Sequence, residues 1–176
     1  MGWLESSAAE KTSARGESQG KRPASKTVMD YLKLLEQQVC SWPEVSLHSH
    51  RFGGREFRFR SAEIGHVHPG GIVDIPFPRS VRDALLDERL AEQHHWVPNS
   101  GWVTFRVRSQ DELDHALWLL RLSYLRYALK TAPNPRDIFE RESDRLHLSA
   151  RFKSLLEVFI RPSAGAREDG NQPVSA

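Results

Sequence analysis

The segment from Ala62 to Ile75 constrains the fold of this chain more than any other stretch, because it predicts two strands joined by a tight turn. The turn is Pro69-Gly70-Gly71, and glycines at such positions adopt the backbone angles that a short hairpin connection needs. With 176 residues and 39% apolar side chains, the chain is long enough for one globular domain with tails. An antiparallel strand pair is therefore expected inside that domain.

The first strand of this pair carries two histidines, His66 and His68. They are expected on one face, because side chains two positions apart on a strand project together. Asp74 lies on the returning strand, where cross-strand pairing is expected to bring it near one of the histidines. By the same alternation, Ile64 is expected on the face of the histidines, and Glu63 and Val67 are expected on the opposite face.

Alternating apolar residues predict three further strands. Val45 to Ser49 and Arg55 to Arg60 flank the turn glycines Gly53-Gly54, so they are expected to form a half-buried antiparallel hairpin. A last strand is predicted from Trp102 to Arg108, after a loop over residues 91–100.

Capping residues and helical spacing predict the helices. The first begins near Thr27, where Asp30 completes an imperfect capping box, and it ends before Pro43. The others are a short helix capped by Ser80, a long helix capped by Ser109, and an amphipathic helix near Leu146 to Phe159.

These elements predict an α+β fold, with about five mostly antiparallel strands in a curved sheet and helices packed on one face. The domain is expected over residues 27–131. A C-terminal amphipathic helix region over residues 132–160 either docks on it or lies at an interface. Residues 1–26 and 161–176 are predicted to be disordered tails, because they bury too little apolar surface to offset their chain entropy.

Charge and cysteine content exclude several classes of protein. The net charge of +2, from 25 basic and 23 acidic residues, is too balanced to indicate a nucleic-acid partner. The single cysteine, Cys40, cannot form an internal disulfide, so nothing indicates an oxidising compartment. The sequence shows no apolar run typical of a signal peptide or a membrane span. A cytoplasmic protein without a membrane partner is expected.

Six of the eight histidines lie between His48 and His95. A His-x-His pair on a strand can present two imidazoles to one metal ion, and the candidates for a third ligand are Asp74, Glu63, His95 and His48. The same groups could transfer protons, because histidine titrates near neutrality and a neighbouring carboxylate fixes its tautomer. A third interpretation is that these are half-exposed strand residues that make ordinary hydrogen bonds.

Four blocks occur in an order that resembles the luciferase-domain family, a group of small bacterial and fungal proteins that includes the fungal luciferase. The blocks are Phe52-Gly53-Gly54-Arg55-Glu56-Phe57, Glu63-Ile64-Gly65-His66-Val67-His68, Gln93-His94-His95 and Ser100-Gly101-Trp102-Val103-Thr104-Phe105. The resemblance covers residues 48–128, and its most specific block is the one with the two histidines.

The resemblance implies an activity and a set of site residues. The fungal luciferase oxidises a hydroxylated styryl-pyrone with molecular oxygen, releases carbon dioxide and light, and is described without an organic cofactor. The residues carried over by motif are Glu63, His66, His68, His95 and Trp102. Two departures are Asp74, where fungal members carry a histidine, and the lack of a recognisable N-terminal membrane segment. Most members of this family come from organisms that do not emit light, so light emission is not expected here.

The leading hypothesis is a cofactor-independent, oxygenase-like oxidoreductase that acts on a small molecule. One histidine would deprotonate an acidic carbon or enol, the carbanion would react with molecular oxygen, and a second histidine would stabilise the negative charge. The expected catalytic residues are His66, His68, His95, Glu63 and Asp74. The expected substrate-binding residues are Trp102, Trp96 and Arg58.

Two alternatives belong to other classes of protein. In one, His66, His68 and Asp74 hold a single divalent metal ion that activates water or oxygen. In the other, the chain is a non-catalytic binding module, and its C-terminal helix makes a homodimer or another partner contact.

Overall fold

The computed structural model describes residues 26–94 and 96–160. The two predicted tails, apart from Lys26, lie outside the described residues, and so does His95. Within the described part, five α-helices accompany one six-stranded sheet. The fold is α+β, as predicted.

The strands are all antiparallel to their neighbours and follow the order β1-β2-β3-β4-β6-β5. Their bounds are β1 Val45–Ser49, β2 Arg55–Phe59, β3 Ala62–His68, β4 Ile72–Pro76, β5 Glu92–Gln93 and β6 Trp102–Arg106. The predicted hairpin and the predicted central pair are β1–β2 and β3–β4. The short strand β5 lies in the segment that was predicted to be a loop.

The helices are α1 Val28–Cys40, α2 Arg79–Asp87, α3 Gln110–Thr131, α4 Pro135–Arg145 and α5 Ala150–Glu157. Thr27 and Asp30 form the predicted capping box of α1. Ser109 caps α3 as predicted and accepts a hydrogen bond from the Glu112 amide, but the Glu112 carboxylate accepts from the Arg108 amide and so does not complete a capping box with Ser109. Helix α2 starts after Pro78, two residues earlier than a Ser80 cap would place it.

The core lies between the sheet and helix α3, which crosses strands β2, β3, β4 and β6. Residues on one face of these strands are fully buried in it, among them Phe57, Val73, Ile75 and Val103. The alternate residues therefore lie on the other face of the sheet, and they include His66, Asp74 and Thr104.

The C-terminal region packs on this domain. Helix α4 contacts α3, and α5 contacts α2. Phe139, Phe152 and Leu156 are buried in the common core. A buried ion pair between Arg121 of α3 and Glu142 of α4, with Nη2 and Oε1 2.7 Å apart, adds to the contact. The amphipathic helix predicted near Leu146 to Phe159 is the shorter α5, and α4 was not predicted.

Strand β3 contains a bulge that changes which of its side chains share a face. Phe57 pairs with Gly65 but Arg58 pairs with Glu63, so Ile64 is an extra residue in the ladder. Ile64 is fully buried in the core, and Glu63 contacts His66. The predictions that Ile64 shares the face of the histidines and that Glu63 lies opposite them are therefore wrong.

Gly65 makes the bulge compatible with the core. A Cβ atom there would lie 2.6 Å from Cδ2 of Leu120, and its φ of +152° is rarely adopted by other residues. Glycine therefore lets α3 approach this strand closely.

No helix in the described part of the chain combines the length and the apolar character that a bilayer crossing needs.

Candidate functional site

A cavity of about 270 Å³ opens on the face of the sheet that carries His66. Among the described residues, its lining includes four histidines, two carboxylates and two tryptophans: His50, His66, His68, His94, Glu63, Asp74, Trp96 and Trp102. These side chains come from β3, β4, β6 and two loops, so the pairing of the sheet brings them together.

Asp74 is the buried centre of the cluster, with 1% of its surface exposed. It pairs with His66 across the β3–β4 ladder, as the sequence predicted for one of the histidines. Its Oδ2 atom lies 3.5 Å from Nε2 of His66 and 3.7 Å from Nε2 of His68. Its Oδ1 atom lies 3.7 Å from Nε2 of His94. Three imidazole groups of the described chain therefore surround one carboxylate.

The surroundings of Asp74 favour its ionised form. Burial raises the pKa of this carboxyl, but the hydrogen bonds from His66 and Thr104 and the charge of His66 outweigh burial and lower it. Thr104 lies opposite Asp74 in the β4–β6 ladder and donates its hydroxyl to Oδ1 at 2.5 Å. Asp74 is therefore held as a carboxylate at the base of the cavity.

His66 lies between two carboxylates. Its Nδ1 atom is 2.6 Å from Oε1 of Glu63, and its Nε2 atom faces Asp74. Burial lowers the pKa of His66, but hydrogen bonds to Asp74 and Glu63 and the charges of both raise it to about 9. In this structure His66 is therefore an imidazolium at neutral pH, with both ring nitrogens directed at acceptors.

His50 extends the cluster. It follows β1, and its ring stacks on that of His66 with centroids 3.9 Å apart and an interplanar angle of 15°. Its Nδ1 atom lies 3.2 Å from Oε2 of Glu56, whose other oxygen accepts from Nε of Arg58 at 2.5 Å. Arg58 thus holds Glu56, and it is not among the residues that line the cavity.

His68 packs against the end of the first hairpin. A Cβ atom at Gly54 would lie 3.1 Å from Nδ1 of His68 and 2.8 Å from the Val67 carbonyl oxygen. Glycine at this position therefore leaves room for the imidazole of His68 beside the hairpin. The rings of His66 and His68 are close to perpendicular, with centroids 4.9 Å apart.

Backbone amides fix the tautomer of His94. Its Nδ1 atom accepts from the amides of Trp96 and Val97 at 3.2 and 3.3 Å. An acceptor nitrogen carries no proton, so the proton of the neutral ring lies on Nε2, which faces Asp74.

Two tryptophans form apolar walls beside the histidines. The Trp102 ring lies 5.2 Å from that of His66 and 6.2 Å from that of His94, measured between centroids. Trp96 is 65% exposed at the mouth of the cavity, and Phe52 contacts it from the first hairpin with centroids 6.1 Å apart. The cavity therefore combines a charged base with an aromatic rim.

The structure brings together most of the predicted site residues. Those in the cavity are His66, His68, Glu63, Asp74, Trp96 and Trp102. His95 lies outside the described residues, whereas its neighbour His94 lies at Asp74. His50 and His94 were not predicted as site residues. Two signals were present: alternation along β1 places His50 on the face of His48, and His94 belongs to the family block Gln93-His94-His95.

Three of these histidines are close enough to hold one metal ion. In the described part of the chain, His50, His66 and His68 offer ligand nitrogens that all lie within 4.8 Å of one another. A second such group consists of His50, Glu56 and Glu63, so the two groups share His50.

The residues 61–123 match a family model described as the luciferase domain. The matched segment runs from β3 into α3, so it contains His66, His68, Asp74, His94 and Trp102. The match supports the assignment of this protein to the luciferase-domain family, which its motifs resemble. Neither the curated proteins nor the solved structures contained a significant match to the chain.

Proposed function

We propose that this luciferase-domain protein is a small-molecule oxidoreductase of the oxygenase type, with its active site in the histidine-lined cavity. Asp74 would take a proton from an acidic carbon or an enol of the substrate. His66 and His68 would stabilise the negative charge that develops on the neighbouring substrate oxygen. The observation that carries the proposal is the buried Asp74 carboxylate surrounded by three imidazole groups in an accessible cavity.

The surroundings favour Asp74 over a histidine as the base. Both ring nitrogens of His66 face carboxylates, and Nδ1 of His94 is occupied by two amides. Asp74 is ionised and lines the cavity. Asp and Glu carboxylates act as bases toward carbon acids in other enzymes. The sequence-based hypothesis gave this role to a histidine, and the geometry favours the carboxylate.

The oxidising step needs only molecular oxygen. Once Asp74 holds the proton, the substrate carbanion gives its electron pair to oxygen and a carbon–oxygen bond forms. The proton returns from Asp74 to the outer oxygen of the resulting peroxide, which leaves a hydroperoxide and the original carboxylate. This sequence requires no organic cofactor.

Trp102 and Trp96 would hold the substrate against the histidines. Trp102 contacts the rings of both His66 and His94, so a ligand on its exposed surface lies beside Asp74. Close packing at such a wall orients the reacting atom. The cavity volume of about 270 Å³ suits a small organic molecule.

Oxygen uptake tests the proposal. A panel of enols and compounds with acidic C–H groups would be screened with an oxygen electrode, and the active compound then tested on Asp74→Asn and His68→Ala. Both variants should lose about 100-fold or more in kcat/KM, the size of a typical acid–base contribution. His48→Ala is the matched control, because His48 is exposed on β1 and bonds Ser46. Full activity in Asp74→Asn would refute the assignment.

A further inference from the structure

We propose that His50, His66 and His68 form a binding site for one divalent transition-metal ion, with Glu56 and Glu63 as the carboxylates that orient two of the rings. The role of the ion in catalysis rests on the proposed function. Its binding does not, because it follows from the side-chain geometry alone.

The three donors are close enough to share an ion. Their ligand nitrogens lie within 4.8 Å of one another, and nitrogens bound tetrahedrally to zinc lie about 3.3–3.4 Å apart. Side-chain adjustments of about an ångström would close the difference. His66 and His68 belong to one strand, and His50 stacks on His66 from the end of another, so the sheet preforms the set.

The carboxylates repeat the arrangement that surrounds metal-binding histidines in other proteins. Such histidines donate one ring N–H to a carboxylate, which fixes the tautomer and leaves the other nitrogen for the metal. Nδ1 of His50 lies 3.2 Å from Glu56, and Nδ1 of His66 lies 2.6 Å from Glu63. In each ring, Nε2 is therefore the nitrogen that would bind an ion. At His66 the ion would replace the Nε2 proton that faces Asp74.

The same reasoning excludes His94 from the ligand set. Its Nδ1 atom accepts two backbone amides, so its Nε2 atom carries the proton and has no electron pair for a metal. His94 is therefore placed to donate to Asp74 and not to bind the ion.

Three imidazoles select a particular class of ion. Nitrogen donors favour zinc, copper, iron and nickel over magnesium and calcium. Three protein ligands leave one coordination position open toward the cavity, as in catalytic zinc sites. An ion there would polarise the substrate oxygen next to Asp74.

Metal titration of the full, untagged chain tests the site. After removal of bound ions with a chelator, cobalt(II) would be added and its visible absorption followed, and zinc content would be measured by elemental analysis. One equivalent of cobalt with the intense absorption of a tetrahedral site is expected, and zinc should displace it. If the wild-type protein binds neither ion, the proposal is overturned.

Variants identify the ligands. His50→Ala and His68→Ala should each weaken cobalt binding by about 100-fold or more, and Glu56→Gln by about 10–100-fold, the usual cost of losing such an orienting partner. His48→Ala should bind like the wild type, because His48 lies outside the cluster. Circular dichroism and urea unfolding would verify that each variant is folded. Wild-type affinity in folded His50→Ala would exclude the proposed ligand set.

Asp74→Asn separates this proposal from the proposed function. It should retain the cobalt spectrum and lose oxygen uptake, because Asp74 is the proton acceptor and His50 is the third ligand. Loss of cobalt in Asp74→Asn together with its retention in His50→Ala would assign the third ligand to Asp74 and refute the set proposed here. Binding of one ion with no oxygen-consuming substrate would support the metal site and reject the oxidoreductase.

Discussion

Thr104 donates a hydrogen bond to the buried carboxylate of Asp74, and the two oxygen atoms lie 2.5 Å apart. The two residues face each other on adjacent strands, β4 and β6, so the sheet itself sets the contact. Both residues are 1% exposed. Thr104 therefore helps to keep Asp74 ionised and in place.

The first prediction concerns this hydroxyl. Thr104→Val keeps the shape of the side chain and leaves a buried carboxylate short of one donor, so the free energy of unfolding should fall by about 1–3 kcal/mol. Urea unfolding at neutral pH measures this change in the free energy of unfolding. Thr104→Ser keeps the hydroxyl and should recover most of the hydrogen-bond contribution. A Thr104→Val variant as stable as the wild type would contradict a contribution of this hydroxyl.

The second prediction uses two neighbouring turn glycines as a matched pair. Gly70 and Gly71 have φ of +92° and +88°, so alanine is strained at both. A Cβ atom at Gly71 would lie 2.3 Å from the Val107 carbonyl oxygen, whereas Gly70 has no atom within 4 Å. Gly71→Ala should therefore destabilise the protein clearly more than Gly70→Ala in thermal or urea unfolding. Similar losses in both would show that the close approach of Val107 is relieved at little cost.

Local patterns were sufficient to predict the His66, His68 and Asp74 group. Alternation placed the two histidines together, and a tight turn returned the next strand beside them. Glu63 was assigned to the wrong face, because a single extra residue opposite Phe57 and Arg58 reverses the alternation. The sequence marks this position only by Gly65.

Contacts between distant segments explain what the sequence did not reveal. His50 reaches His66 because two hairpins pair side by side, and His94 reaches Asp74 through a loop anchored by its own backbone amides. No local periodicity in the sequence indicates either contact. Helix α4 was not predicted, and it begins at Pro135, which is tolerated in the first turn because its missing N–H would have no partner within the helix there.

The third prediction is a pH dependence of stability that arises from the Arg121–Glu142 pair. Burial raises the pKa of Glu142, but the hydrogen bonds and charge of Arg121, together with Arg145 and Arg141, lower it overall. A carboxyl with a lowered pKa in the folded state stabilises the protein above its unfolded pKa of about 4.3. That contribution is lost as the pH falls through the folded-state pKa.

Glu142→Gln tests this pair. At pH 7 it leaves the buried Arg121 without its counter-ion, so the free energy of unfolding should fall by roughly 3–5 kcal/mol. Below pH 4 the difference from the wild type should shrink, because the wild-type carboxyl is then protonated in the unfolded state. Glu140→Gln, at an exposed position of the same helix, is the control and should change stability little. If the stability difference between the wild type and Glu142→Gln stayed constant from pH 7 to pH 3, the pH dependence could not be assigned to this ion pair.

The fourth prediction separates the two nitrogens of His94. Asparagine can place its side-chain oxygen where Nδ1 accepts the Trp96 and Val97 amides, but it has no group at the position of Nε2. Glutamine can place its amide N–H near Nε2 but does not accept the two backbone amides. If His94 acts by donating from Nε2 toward Asp74, His94→Asn should keep the thermal stability and lose oxygen uptake. His94→Gln should retain more activity than His94→Asn, with a less stable fold. The reverse order of activity would mean that His94 serves the site by anchoring the loop of Trp96, and not by donating to Asp74.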